Sequence, residues 1–181
     1  MSRPPDPWRR AQLLGAAVDY AIEHGLADLT LRPLADALGV RPNTLVHHFG
    51  SKEELLSEIL NGVRDRLRAM RAGMEQDPEQ APLEGVWEWS SSPERLAFFR
   101  SFFEAYGLAL HQPDRYRPFL ERVVGDWLAE AERAQLTPAQ ATLELAVVRG
   151  LLLDLLTTGD RDRVEAALSL FARTRSAPAG A

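Results

Sequence analysis

The feature that most constrains this chain is an apolar repeat that starts directly after a helix-opening signal. Ser51, Lys52, Glu53 and Glu54 have the form of a capping box, in which a serine hydroxyl and a glutamate three residues later satisfy each other's free amides. Leu56, Ile59, Val63, Leu67, Met70 and Met74 follow at steps of three and four residues. Only a helix lines such positions up on one face, and roughly six turns of it span about 35 Å. A rod of that length must be covered by other elements, and the punctuation of the remaining sequence supplies them as helices.

Asp6-Pro7 forms a cap and first turn for a helix carrying Ala11, Leu14, Val18 and Ile22, stopped by Gly25. Thr30 can cap a short second helix with Leu31, Leu34, Ala35 and Leu38 on one side, and Gly39 ends it. Pro42 opens a third, running to about Phe49. Beyond the long helix, Pro78, Pro82, Gly85 and a serine triplet interrupt the periodicity, leaving a loop or short helix around Trp87 and Trp89. Ser92-Pro93 restarts a helix to about His111, and another runs from about Asp114 to Ala134, with Pro118 leaving its start open. Thr137-Pro138-Ala139-Gln140 again resembles a capping box and opens a strongly apolar helix to Thr158. Gly159-Asp160 ends that helix and caps the last, with Val164, Leu168 and Phe171 on one face, before a tail, SAPAGA, expected to be disordered. No stretch alternates with period two, so the fold class is all-α.

Composition removes several functions. With no cysteine in 181 residues, a disulfide scaffold, a zinc ribbon and a thiol nucleophile are excluded. Charges break every apolar run well short of the ~18 residues of a membrane span, and the start MSRPPDPWRR lacks the apolar core of a secretory signal. A cytoplasmic protein with no membrane partner is expected. Net charge is -5, and residues 1 to 62 hold six basic side chains against eight acidic ones. A general nucleic-acid coat would be basic throughout, so any DNA contact must come from a small local cluster of cations and amide donors.

Two short helices joined at Gly39, with a longer helix before them and a very long one after, have the proportions of a helix-turn-helix, whose second helix enters the major groove. Ala35 supplies the small residue needed where the helices cross, and Gly39 the tolerant turn. On proportions alone, a plain helical corner of a core reads equally well. The residues Thr30-Leu31-Arg32-Pro33-Leu34-Ala35-Asp36-Ala37-Leu38-Gly39-Val40 and Asn43-Thr44-Leu45-Val46-His47-His48-Phe49-Gly50-Ser51-Lys52-Glu53-Glu54-Leu55 closely resemble the DNA-binding signature of the tetracycline-repressor (TetR) family of bacterial regulators. Arg149 to Asp160 also looks like the dimerisation region of many such proteins.

The resemblance implies a three-helix DNA-binding domain over residues 1–50, a connecting helix over 51–75, and an effector-binding and dimerisation domain over 76–181. It makes Lys52 a phosphate contact, as an ammonium beside a helix N-terminus also suggests. It places Thr44 and His48 against backbone or base edges, Arg32 within reach of guanine, and Thr30 as a phosphate-contacting cap. The family usually has tyrosine where this chain has Val46, so one hydroxyl contact to the DNA backbone is missing. Arg41, Asn43 and His47 are the candidates for reading bases, since arginine can fork onto guanine O6 and N7 and asparagine onto adenine N6 and N7. Arg3, Arg9 and Arg10 either reach phosphates or a minor groove, or belong to a disordered arm.

The second half carries most of the aromatic residues. They either fill a core or wall an effector pocket for a mostly apolar molecule; the candidates are Trp87, Phe99, Phe102, Phe103, Tyr106, His111, Tyr116, Trp127 and Arg149. The helix from Ala141 to Leu156 is apolar on more than one face and should pair with a second copy, through Val147, Gly150, Leu151, Val164, Leu168 and Phe171. No cofactor is expected, nor a metal site, because His47 and His48 are adjacent on a helix and point about 100° apart. No catalytic motif is present, and the chain does not read as an enzyme. The expected function is that of a homodimeric repressor that binds a palindromic double-stranded operator and is released by a small ligand. The alternatives are a helical-bundle enzyme or lipid carrier, and a protein-interaction adaptor built on a degenerate helix-turn-helix.

Overall fold

A computed structural model describes residues 6–26, 29–72 and 82–176. Arg3, Met74, Pro78 and the tail beyond Ser176 lie outside the described residues. Among those described, every regular element is a helix: α1 (Pro7–His24), α2 (Leu31–Ala37), α3 (Pro42–Phe49), α4 (Lys52–Ala72), α5 (Pro82–Ser90), α6 (Pro93–His111), α7 (Pro113–Arg133), α8 (Pro138–Thr158) and α9 (Arg161–Ser176). They divide into two compact units. One holds α1 to α4 with residues 100–124; the other holds residues 82–99 and 125–176.

In the first unit α1 packs along α4 and touches α2 and α3. Asp6 caps α1 by accepting the Trp8 N–H at 3.0 Å. The helix buries Leu13, Ala17, Val18 and Ala21. That stripe is rotated from the expected one: Ala11 is exposed, and Leu14 and Ile22 are half-buried. Adjacent Leu13 and Leu14 permit either phase, and the partner helix decides between them. A Cβ placed on Gly62 of α4 would lie 2.3 Å from Val18 Cγ2, so only glycine lets the two helices approach this closely. On α4 the expected Ile59 and Val63 are buried, together with Leu55, Leu60 and Arg64, while Leu56 and Leu67 are half-buried. Ser101 ties α6 to α1 by donating its hydroxyl to the Ile22 carbonyl at 2.8 Å.

In the second unit α8 packs on α5 and α9. The expected capping box is formed, with Thr137 and Gln140 bonded reciprocally, and Gly159 closes α8 in the left-handed conformation. Asp160 then caps α9, accepting the Arg163 N–H at 3.2 Å. Arg163 also reaches back across the turn, donating to both oxygens of Asp154 at 2.8 and 2.6 Å. Trp127 anchors α7 on α8 through an indole N–H bond to the Ala141 carbonyl of 2.7 Å. Helix α7 begins with a kink: Tyr116 leaves helical geometry two residues before Pro118, whose ring and missing N–H disrupt the first turn.

Candidate nucleic-acid interface

The turn between α2 and α3 is a Schellman closure. The Val40 N–H bonds to the Ala35 carbonyl at 2.9 Å, and the Gly39 N–H to Asp36 at 3.1 Å. Gly39 supports this with φ +64°, a conformation that strains any residue bearing a Cβ. Leu34 and Ala35 are fully buried beneath the turn. Thr30 occupies the cap position of α2 in extended backbone, but its side chain makes no capping bond. The expected cap is therefore absent, and the hydroxyl stands exposed.

Helix α3 is sharply two-sided. Leu45 and Phe49 are buried, whereas Asn43, Val46 and His47 are exposed. At about 100° per residue, Asn43 lies in the middle of the outward arc, with Val46 and His47 on its flanks. Thr44 and His48 are half-buried on the arc's shoulder.

Three cations accompany this helix pair. Arg32 stands in the first turn of α2, Arg41 in the residue before α3, and Lys52 at the first position of α4. Among the described residues none of the three has a side-chain partner. Each sits where a helix start presents unpaired amides, an arrangement that favours phosphate oxygen. At α4 half of the expected capping box is made, with the Glu54 N–H donating to Ser51 Oγ at 3.1 Å.

Arg10 behaves differently from its neighbour Arg9. Its Nε donates to the His48 carbonyl at 3.0 Å, its Nη2 pairs with Glu58, and its guanidinium lies 4.9 Å from the centre of the Phe49 ring. It is a clamp joining α1, the end of α3 and α4, rather than a cation held out to solvent. Arg9 is exposed and reaches only Gln12, at 3.4 Å.

An interface of this build has close relatives. A family profile described as "Bacterial regulatory proteins, tetR family" matches residues 13–59, which span the turn and both short helices. The transcriptional repressor KstR2 of Rhodococcus jostii is 46% identical over 59 residues, covering 33% of this chain and 29% of that protein. The transcriptional regulator BetI 1 of Chromohalobacter salexigens is 30% identical over 129 residues, covering 67% of this chain and 62% of that one. The chain thus spans under a third of the KstR2 relative and less than two thirds of BetI 1. Among solved structures, the multidrug binding protein EbrR in complex with imidazole superimposes with a TM-score of 0.76 at 25% identity, covering 99% of this chain and 96% of that one. The chain belongs to the TetR family.

In this TetR-family chain the aromatic candidates fall into two groups. Phe102, Phe103 and Tyr106 form a ring cluster in the first unit, joined by Phe119. Tyr116 is buried in the same unit, and His111 is exposed at the end of α6. Trp87, Phe99, Trp127 and Arg149 belong to the second unit, where Phe99 meets Phe98 and Trp89 edge to face. An open cleft of about 500 Å³ there is lined by Trp87, Glu88, Ser91, Ser92, Pro93, Arg161 and Glu165. Of the expected pocket residues only Trp87 borders it. Its buried indole N–H has no partner.

The candidate pairing surface needs correction in two places. Val164 and Leu168 are 0% and 5% exposed, so they are consumed inside the chain and offer nothing to a second copy. Val147, Leu151 and Phe171 are half-buried and Gly150 is exposed. The large apolar side chains that do face outward are Leu143 and Leu153 on α8 and Leu170 on α9, each more than half exposed. The rule of three and four residues found the stripe on α9 but not which way it faces.

Proposed function

We propose that this chain is a transcriptional repressor that binds a palindromic DNA operator as a homodimer and is released by a small, mostly apolar ligand. The observation that carries the reading is the helix-turn-helix itself: a strict glycine turn, an outward arc of Asn43, Val46 and His47, and three partnerless cations at helix starts. Such a surface can neutralise phosphates with Arg32, Arg41 and Lys52 while presenting amide and imidazole groups to base edges. Thr30, Thr44 and His48 add hydroxyl and imidazole contacts at its border. A net charge of -5 leaves attraction to DNA to that cluster alone.

Homodimerisation is supported by the outward leucines of α8 and α9, which a lone chain leaves in water. Twofold symmetry would present two recognition helices to half-sites about 34–36 Å apart or a small multiple of that. Ligand release is supported by the aromatic content of the second half and by the likeness to a multidrug binding protein. A ligand that weakens operator binding must itself bind more weakly to the DNA-bound protein, by the same factor.

The deciding experiment is selection of duplexes from a random pool by the full chain, followed by sequencing. A palindromic consensus bound well above scrambled DNA at the same salt supports the reading. Binding no stronger than to scrambled DNA at any salt defeats it and favours a protein-interaction adaptor.

A further inference from the structure

Val46 is 39% exposed on the outward arc of α3, the one large apolar side chain among Asn43, His47 and the free cations. Its neighbour Leu45 is fully buried and holds the helix in place, so the exposure of Val46 is not slack in the packing. The side chain has no hydrogen-bonding atom, and its branched Cβ restricts it to few rotamers. It is thus a rigid pair of methyl groups held outward. In the major groove, the only methyl group offered by the four standard bases is the 5-methyl group of thymine.

We infer that Val46 is a specificity-determining residue that packs on a thymine methyl in each half-site. The inference rests on the DNA-reading function proposed above and adds to it one base and the atom by which that base is recognised. Asn43 lies three positions earlier on the same arc, about 60° away, and its amide fits adenine. The two side chains together favour A·T pairs.

The test uses the full chain and the duplex selected from the random pool. Each thymine is replaced in turn by deoxyuridine, which deletes the methyl group and keeps every hydrogen bond. One symmetry-related thymine pair is expected to weaken binding by about three- to tenfold when so replaced. Val46→Ala should bind the thymine duplex as weakly as wild type binds the uracil duplex, and should no longer distinguish them. Val46→Thr, with one methyl retained, should fall between. Helical circular dichroism identical to wild type establishes that the variants are folded. The inference is overturned if no thymine methyl affects binding, or if the methyl effect persists undiminished in Val46→Ala. A pool that yields no enriched sequence overturns the DNA-reading function and this inference with it, whereas an enriched operator indifferent to Val46 overturns the inference alone.

Discussion

The α2–α3 pair and the α8–α9 pair are each two helices joined by a glycine turn, yet they expose opposite surfaces. The first is short, buries Leu34, Ala35, Leu45 and Phe49, and turns outward a mainly polar arc with Val46 as its one large apolar member. The second is long, buries Val148, Leu152, Leu155, Val164 and Leu168, and still leaves Leu143, Leu153 and Leu170 in water. A helix pair that needs one apolar face for its own core has used it up in the first case and has apolar surface to spare in the second. The surplus points to a further protein surface, and the polar arc to a polar, charged ligand.

The sharpest way to break this contrast is to truncate a buried leucine in each pair and the outward leucines of the second. Leu45→Ala and Leu168→Ala remove buried side chains and should each lower folding stability by about 2–5 kcal/mol in denaturant titrations. Leu153→Ala should leave the stability of the monomer nearly unchanged. Leu153→Glu combined with Leu170→Glu should weaken self-association at least about tenfold, read by sedimentation velocity, because a desolvated carboxylate costs several kcal/mol. Equal destabilisation by the buried and the outward truncations would erase the distinction.

On the polar side, Lys52→Ala should weaken binding to all duplexes alike and flatten the salt dependence. The slope of log affinity against log salt should fall by about 0.9 per phosphate contact, hence about twice that in a symmetric dimer. Arg41→Ala should instead relax selectivity at particular base positions.

A smaller effect separates two turns of the same design. The end of α7 repeats the Schellman pattern of α2, with the Leu136 N–H bonded to Ala131 and the Gln135 N–H to Glu132, but the left-handed position is occupied by Gln135 at φ 60°. Gln135→Gly should raise thermal stability by up to about 1 kcal/mol, while Gly39→Gln should cost about as much and lower DNA affinity besides. The smallest effect is electrostatic. Hydrogen bonds from Arg163 hold the Asp154 carboxyl below its ordinary value of 3.8. A depressed carboxyl stabilises the fold above that ordinary value, and the contribution is lost as pH falls through the lowered one. Below about pH 4 stability should therefore decline less steeply in Asp154→Asn than in wild type, by a small margin, since both partners are solvent-exposed.

Helix ends were legible in the sequence because they are written locally. Asp6, Gly25, Gly39, Pro42, Gly159 and the Thr137–Gln140 box each act within four residues, and the structure places helix boundaries at all of them. Facing was not. Adjacent apolar residues such as Leu13 and Leu14 leave the phase of α1 to its neighbours, and Val164 and Leu168 gave no sign of whether they faced a core or a second copy. The end of α7 near Ala134 was legible too, but the left-handed form of its turn at Gln135 was not, because no glycine announces it. The clamp of Arg10 was beyond reach for a different reason: its partners lie 38 and 48 residues away, and an arginine near the terminus of a DNA-binding chain reads more simply as a phosphate contact. The candidate DNA-contacting residues came from the pattern of the motif, but that Arg32, Arg41 and Lys52 are left without partners is a property of the folded chain.

The Arg10 clamp also bears on how readily this surface could be rewritten. It grips α3 through a main-chain carbonyl and an aromatic ring on the inner side, and it asks nothing of the side chains at 43, 46 and 47. The outward positions are thereby uncoupled from those that seat the helix. Grafting a different set of three residues onto the outer arc amounts to exchanging the text on a fixed plate: the binding preference would change while the docking angle and the stability of the fold stayed as they are.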